Sequence, residues 1–186
     1  MPSNVETEIK LAVRSAAHAR RLLRAAGFRQ IHRRAFESNQ LYDWPDNGLR
    51  RAGCMIRVRT WGTEASVTFK GPSGRSTRYK SREEIETPVA DAAQMGEILE
   101  LLGLVPGYRY EKFRAVFAQP GQPGVAAVDE TPIGVYLELE GEADWIDRIA
   151  ARMGFSPGAY RLESYATIYM EDCLRRGVEA GSMVFS

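Results

Sequence analysis

Histidine and cysteine are nearly absent from this chain. It has two histidines, His18 and His32, and two cysteines, Cys54 and Cys173, in 186 residues. Zinc sites are built from clustered imidazole and thiolate ligands, so this supply argues against one. Any metal would be held by carboxylates, whose hard oxygens suit Mg²⁺ or Mn²⁺. The two histidines are expected at the surface with no catalytic part. The cysteines show no metal-type spacing; free thiols in a reducing cytoplasm are expected, with a Cys54–Cys173 disulfide the alternative. No apolar run approaches the ~20 residues that span a bilayer, and Met1-Pro2-Ser3-Asn4 leads straight into a charged segment rather than a secretory signal. No membrane association is expected, and a cytoplasmic location is. Net charge is also missing: 25 Lys plus Arg face 24 Asp plus Glu. A general nucleic-acid binder would be basic overall, so nucleic acid is not an expected partner. A local basic site balanced by nearby acids remains compatible. Finally, neither a P-loop nor a dinucleotide-binding glycine fingerprint is present.

What is present is regular patterning. The length fits one domain, and 44% hydrophobic residues can build a core. No linker divides the chain, so a single domain over 1–176 is expected, with 177–186 as a tail. Helices are predicted from Ser15 to Ala26, Asp91 to Leu102, Asp144 to Met153 and within Ser164 to Arg175. The first three are followed by Gly27, Gly103 and Gly154. Strand-like stretches occupy roughly 5–13, 36–44, 54–61, 64–70, 81–89, 109–118, 124–130 and 134–141. Pro45-Asp46-Asn47-Gly48, Gly71-Pro72-Ser73-Gly74 and Gln119–Gly124 read as loops. Arg75, Arg78 and Lys80, in the segment 71–81, read either as a basic lid or as a solvated turn.

The strands alternate charged and apolar residues, and in a strand alternate side chains share a face. One face of the first carries Glu6, Glu8 and Lys10. Later ones carry Arg57 and Arg59; Thr68 and Lys70; Arg82, Glu84 and Glu86; Lys112 and Arg114; Asp129; and Glu138 and Glu140. For any single strand, a half-solvated antiparallel sheet explains this pattern. The set is harder to explain that way. Like charges repel unless something of opposite sign lies between them, and the charges come in same-sign pairs. The helices also need apolar strand faces to pack on, which leaves the charged faces looking at one another. The expected architecture is therefore α+β: a closed antiparallel barrel of about eight strands, with a charged lumen and helices packed outside. Glu83 and Glu111 fall on the opposite phase and are expected at the surface. Tyr42 fits a barrel mouth or a ligand contact equally. Arginine and lysine suit phosphate oxygens, and paired carboxylates suit a divalent cation that bridges them. A polyphosphate ligand matches that composition.

These residues, in this order, resemble the CYTH domain, also called the triphosphate tunnel metalloenzymes. The resemblance runs from Val5 to about Leu174. It rests on Glu6-x-Glu8-x-Lys10, Tyr42-Asp43, Arg57-x-Arg59, Thr68-Phe69-Lys70-Gly71-Pro72 and Arg82-x-Glu84-x-Glu86. It continues through Lys112-x-Arg114, Asp129, Gly134, Glu138-x-Glu140 and Ser164-Tyr165. It implies a metal-dependent enzyme of the kind that includes class IV adenylate cyclases, thiamine triphosphatases and inorganic triphosphatases. By the family's pattern Glu6, Glu8, Glu138 and Glu140 would bind Mg²⁺ or Mn²⁺, with Asp129 and Glu86 as further ligands. Lys10, Arg57, Arg59, Lys70, Arg82, Lys112 and Arg114 would hold phosphates, and Lys10, Glu138 and Glu140 would take part in catalysis. Expected substrates are ATP, inorganic triphosphate or thiamine triphosphate. ATP cyclisation to cyclic AMP and pyrophosphate leads, hydrolysis is the alternative, and non-catalytic binding is a third reading. A homodimer fits the family. The chain departs from the pattern before Ser164, where many members carry lysine and this one has Glu163; Arg161 is the nearby candidate to compensate.

Overall fold

A computed structural model describes residues 5–74 and 78–186. Eight strands form one closed antiparallel barrel. They are β1 (Val5–Val13), β2 (Arg29–Asp43), β3 (Met55–Trp61), β4 (Glu64–Ser73), β5 (Lys80–Val89), β6 (Val105–Ala118), β7 (Val125–Thr131) and β8 (Gly134–Glu140). Their order around the wall is β1-β5-β4-β3-β2-β6-β7-β8, closing back on β1. Five α-helices accompany them: α1 (Ala16–Ala25), α2 (Gly48–Arg51), α3 (Ala92–Leu101), α4 (Ala143–Arg152) and α5 (Tyr165–Arg176).

The caps expected at Ser15 and Asp91 are formed, and the one expected at Asp144 is not. The Ser15 hydroxyl accepts from the His18 amide, Asp91 accepts from the amides of Ala93 and Gln94, and Ser164 accepts from Thr167. Such side chains satisfy amides that have no partner within the helix. Gly27 and Gly103 turn the chain out of α1 and α3 at φ of +83° and +96°, a region closed to most other residues. α4 begins one residue before Asp144, with Glu142 at its cap position and Asp144 in the first turn.

The apolar strand faces point outward. Ile9, Leu11, Val128, Leu137 and Leu139 are buried beneath Ala19 and Leu23 of α1 and Trp145, Ile146 and Ile149 of α4. Tyr42 joins Val58, Leu99 and Leu104 under α3, so it is a core residue outside the barrel. Burial of such a side chain contributes about 1.5–3 kcal/mol. The helices thus cover the outer face around β1, β7 and β8 and beneath α3, while Phe36 of β2 and Ile85 of β5 stay exposed; the charged faces line the inside.

Four expectations need revision. β2 begins at Arg29 rather than at 36, because residues 29–35 pair with β6 through two register shifts that hide the alternation. The Gly71–Gly74 segment belongs largely to β4, which continues to Ser73 across a bulge. Glu111 is buried, not a surface residue: it accepts from Arg109 and from the Phe185 amide. The segment 177–186 is docked, with Met183 fully buried and bridged in parallel to Tyr110. Cys54 and Cys173 are free thiols. No helix among the described residues is long and apolar enough to cross a membrane. Arg75, from the anticipated basic loop, lies outside the described residues.

Candidate active site

Register decides how the lumen is wired. Across the wall Lys10 faces Glu138, Glu8 faces Lys80, Lys70 faces Glu84, Glu37 faces Lys112 and Arg114 faces Asp129. Cross-strand neighbours lie about 5 Å apart, close enough for opposite charges to meet. Most of the like charges along each strand are therefore answered by the strands beside them, but Arg57 and Arg59 face Leu41, Asn39, Thr68 and Ser66 and find their acids on β5, two strands away, and Glu140 faces Glu8.

The charges form two linked networks. In the first, Arg57 lies 3.3 Å from Glu86 and 3.6 Å from Glu84, and Arg59 reaches Glu86 at 2.6 Å. Thr68 donates to Glu86 at 2.7 Å, and Lys70 pairs with Glu84. In the second, Lys10 sits 3.1 Å from Glu8 and 3.3 Å from Glu138, and Lys80 shares the same Glu8 oxygen at 2.8 Å. Arg114 bridges Asp129 and Glu138, and Lys112 donates to Asp129 at 2.8 Å. The Tyr165 ring, from the start of α5, lies beneath the ammonium groups of Lys10 and Lys112, 5.2 and 5.1 Å from its centroid. Its hydroxyl donates to Asp129 at 2.8 Å.

The space between these groups is a cavity of about 280 Å³. Its lining includes Glu6, Glu8, Lys10, Arg57, Arg59, Lys70, Lys80, Arg82, Glu84, Glu86, Lys112, Arg114, Glu138 and Glu140. At one end it meets a vestibule of about 750 Å³, walled by Leu41, Tyr42, Met55, Tyr79, Tyr108 and Met170 among others. Leu41, Met55, Lys80, Arg82, Tyr108, Ser164 and Ala166 line both.

Two residues with expected ligand roles are otherwise engaged. Asp129 does not line the cavity; it is wholly buried, and its oxygens accept from Lys112, both arms of Arg114 and Tyr165. With its lone pairs so used, it acts as an anchor for cations and is poorly placed to bind metal. Arg82 reaches the rim, but its guanidinium donates to the backbone carbonyls of Gly71, Gly53 and Lys70. It ties the rim strands together. Asp43, from the Tyr42-Asp43 pair, caps α2 by accepting from the amides of Leu49 and Arg50. Arg161 is held by Glu163 at 3.1 Å and Glu171 at 2.7 Å and does not line the cavity.

Other residues escaped the sequence reading. Glu37 and Asn39 face inward on β2, both fully buried, with the Asn39 amide donating to Glu37 at 2.9 Å. The alternation Glu37-x-Asn39 carried the signal, but in an acid–amide mixture rather than a like-charged pair. Tyr110 belongs to neither a charged row nor a motif, yet its hydroxyl accepts from Arg57 at 3.3 Å. Lys80 belongs to β5 and the tunnel, not to a lid. The chain has four lysines, Lys10, Lys70, Lys80 and Lys112, and all four point into this cavity.

The electrostatics separate the carboxylates into two kinds. Burial alone would raise Glu8 and Glu138, but the cations around them outweigh it and hold both well below the usual range: Lys10 and Lys80 for Glu8, Lys10 and Arg114 for Glu138. Glu6 goes the other way. Burial, a hydrogen bond with Glu84 and the charge of Glu140 push it up to about 8. Lys70 is 3.6 Å from Glu6 but pairs more closely with Glu84, so it does not reverse the shift. Glu140 is likewise raised, by burial and by the charge of Glu8. These two carboxyls are short of a cation. No three acidic, histidine or cysteine side chains among the described residues already converge as a finished metal site. The donor set of oxygens with two under-neutralised members nevertheless fits Mg²⁺ or Mn²⁺. Ionisation of Glu6 would accompany binding. Titration of Mg²⁺ at pH 7 in two buffers of different ionisation enthalpy is therefore expected to reveal proton release; buffer-independent heats would remove Glu6 from the ligand set.

Glu37 provides a second test. Burial would raise it, but Lys112, Arg114, Arg59 and Arg57 hold it down at about 2. A carboxyl whose folded pKa is depressed stabilises the fold above its unfolded pKa, here 4.5, and loses that contribution as pH falls toward 2. Between pH 5 and pH 3 the native chain should lose about 2 kcal/mol more urea stability than Glu37→Gln does. Equal losses would show that Glu37 is not held ionised.

The chain is a closed β-barrel whose lumen interleaves guanidinium, ammonium and carboxylate groups. The CYTH domain family matches residues 4–150, and the chain belongs to that family. α5 and the segment after it lie outside that match. A "Putative adenylate cyclase" of Methanocaldococcus jannaschii is 28% identical over 137 residues, which is 73% of this chain and 76% of the relative. Among solved structures, a putative adenylate cyclase from Vibrio parahaemolyticus has a TM-score of 0.75 at 18% identity, covering 88% of this chain and 96% of its own. A putative adenylyl cyclase from Hippeastrum, described as having a dominant triphosphatase activity, has a TM-score of 0.62 at 18% identity, with 94% and 97% covered. These structural likenesses establish the shared fold.

Proposed function

We propose that the chain binds a nucleoside triphosphate with its phosphates in the tunnel, and converts ATP to cyclic AMP and pyrophosphate with Mg²⁺ or Mn²⁺. The observation that carries this reading is the vestibule. It opens directly from the charged cavity and is walled largely by apolar and aromatic side chains, a fit for an organic group attached to the phosphates.

In the resting lumen almost every cation is paired with a carboxylate. A triphosphate entering it competes for Arg57, Arg59, Lys70, Lys112 and Arg114, and so releases carboxylates from their partners. Glu6, Glu8, Glu138 and Glu140, with Glu86 at the rim, are then the oxygens that would hold the divalent cation. When bound, that cation would help ionise the attacking hydroxyl and neutralise phosphate oxygens. Lys80 stands at the junction with the vestibule, where the α-phosphate of such a ligand would lie, and Lys10 shares its Glu8 oxygen. Cyclisation forms a bond from the ribose 3′-oxygen to the α-phosphorus and breaks the bond to the β-phosphate oxygen. The charge gathering on the departing pyrophosphate would be met by Arg57, Arg59, Lys70 and Arg114, already fixed in place by the barrel wall.

Hydrolysis of inorganic or thiamine triphosphate is the rival, because it would use the same cations, and the activity described for the Hippeastrum neighbour favours it. Incubation with Mg²⁺ or Mn²⁺ and each of the three substrates, with products resolved chromatographically, separates the two. Cyclic AMP with pyrophosphate is expected; orthophosphate alone with every metal would overturn the cyclase reading.

A further inference from the structure

β6 is longer than its neighbour. It pairs with β7 only from Phe113 onward, so the edge of residues 105–112 is bare on that side. The segment after α5 fills part of this gap. The Met183 amide donates to the Arg109 carbonyl at 3.0 Å, and the Glu111 amide donates to the Met183 carbonyl at 2.8 Å. The Arg109 amide reaches the Ser182 hydroxyl at 3.2 Å, and the Phe185 amide donates to Glu111 at 3.1 Å. The Phe185 ring lies on Phe113, 5.3 Å between centroids. Met183 is wholly buried in a cluster with Tyr110 and Tyr165, the tyrosines whose hydroxyls hold Arg57 and Asp129. Just before this anchor, Ala180 and Gly181 form part of the vestibule wall.

We infer that this strap is a specificity-determining wall. It is pinned to β6 by Met183, and through Ala180 and Gly181 it shapes the space for the organic part of the ligand while leaving the phosphate tunnel alone. The inference rests on the reading that the vestibule receives that organic part. Its chemical consequence is selective. A change at Gly181 should alter the affinity for triphosphates that carry an organic group and spare inorganic triphosphate, which occupies only the charged cavity.

Gly181 suits the test because its backbone is not in the left-handed region and a β-carbon there would meet no atom within 4 Å. Gly181→Trp therefore adds bulk at the vestibule without backbone strain. The probes are α,β-methylene ATP and inorganic triphosphate, with Kd measured calorimetrically for the native chain and the variant. The nucleotide analogue is expected to bind at least about 10-fold more weakly to the variant, and inorganic triphosphate to change by less than about twofold, as for a single misfit group in a shaped pocket. Equal effects on both ligands, or none on either, would overturn the inference. So would a native chain that binds inorganic triphosphate but not the analogue. Cyclic AMP formation together with an unselective Gly181→Trp variant would sink the inference alone. Selective weakening in a chain that yields only orthophosphate would sink the cyclase reading and leave the wall standing.

Discussion

Asp129→Asn should lower the stability of the chain by about 3 kcal/mol, because removing one member of a buried charge network leaves its partners uncompensated. Asp129 is fully buried, and Lys112, both donating arms of Arg114 and the Tyr165 hydroxyl all converge on it. Asparagine keeps the shape but gives up the charge, and its amide nitrogen turns a donor toward other donors. Arg114 retains Glu138 and the more distant Glu37, which keeps the loss below collapse. For a domain of this length the shift in melting temperature should be about 6–12 °C. Inorganic triphosphate at saturating concentration should recover much of it, since a ligand that binds only the folded chain stabilises it. A variant as stable as the parent would mean that Asp129 is not the anchor of the Lys112–Arg114 pair.

Glu8→Gln should act on turnover rather than on folding. Its carboxylate is shared inside the tunnel by Lys10 and by Lys80, which also lines the vestibule. The substitution removes one proposed metal ligand and one negative charge from a lumen that must accept a polyanion. The two effects have opposite consequences. With less competing negative charge, the KM for the triphosphate should stay level or fall. The loss of the carboxylate should cut kcat by about 10²–10³, the size seen when a preorganised electrostatic contact is deleted. A rise in KM with kcat unchanged would mean that Glu8 serves binding alone; unchanged kinetics would dismiss it from the site.

The barrel was legible because strand alternation reports a face directly. Ile9 and Leu11 on one side of β1 and Glu8 and Lys10 on the other leave little choice once helices must cover the apolar side. What alternation does not report is which partner a charge already has. Asp129 and Arg82 share the phase of the lumen, yet one is spent on cations and tyrosine and the other on backbone carbonyls. Lys80 was obscured by its neighbours, since glycine and serine nearby imitate a loop while the strand begins at its own position. Glu37 was hidden because its significance comes from Lys112 on another strand, 75 positions away, through register alone. The Met183 anchor has no periodic signal at all; it exists because β6 outruns β7.

The confinement of lysine to the lumen has a practical chemistry of its own. Everywhere else the positive charge of the described residues is carried by arginine, which amine-directed reagents ignore. Apart from the amino terminus, a succinimidyl ester or a reactive aldehyde finds amines only inside the barrel. Lys70 and Lys80, with side chains 15% and 16% exposed, are the reachable ones, and Lys10 and Lys112, at 4% and 3%, stand behind them. A routine amine label on a lysine of this protein thus reports on the inside of its barrel, and acetylation of any lysine would fall in the tunnel rather than on the surface.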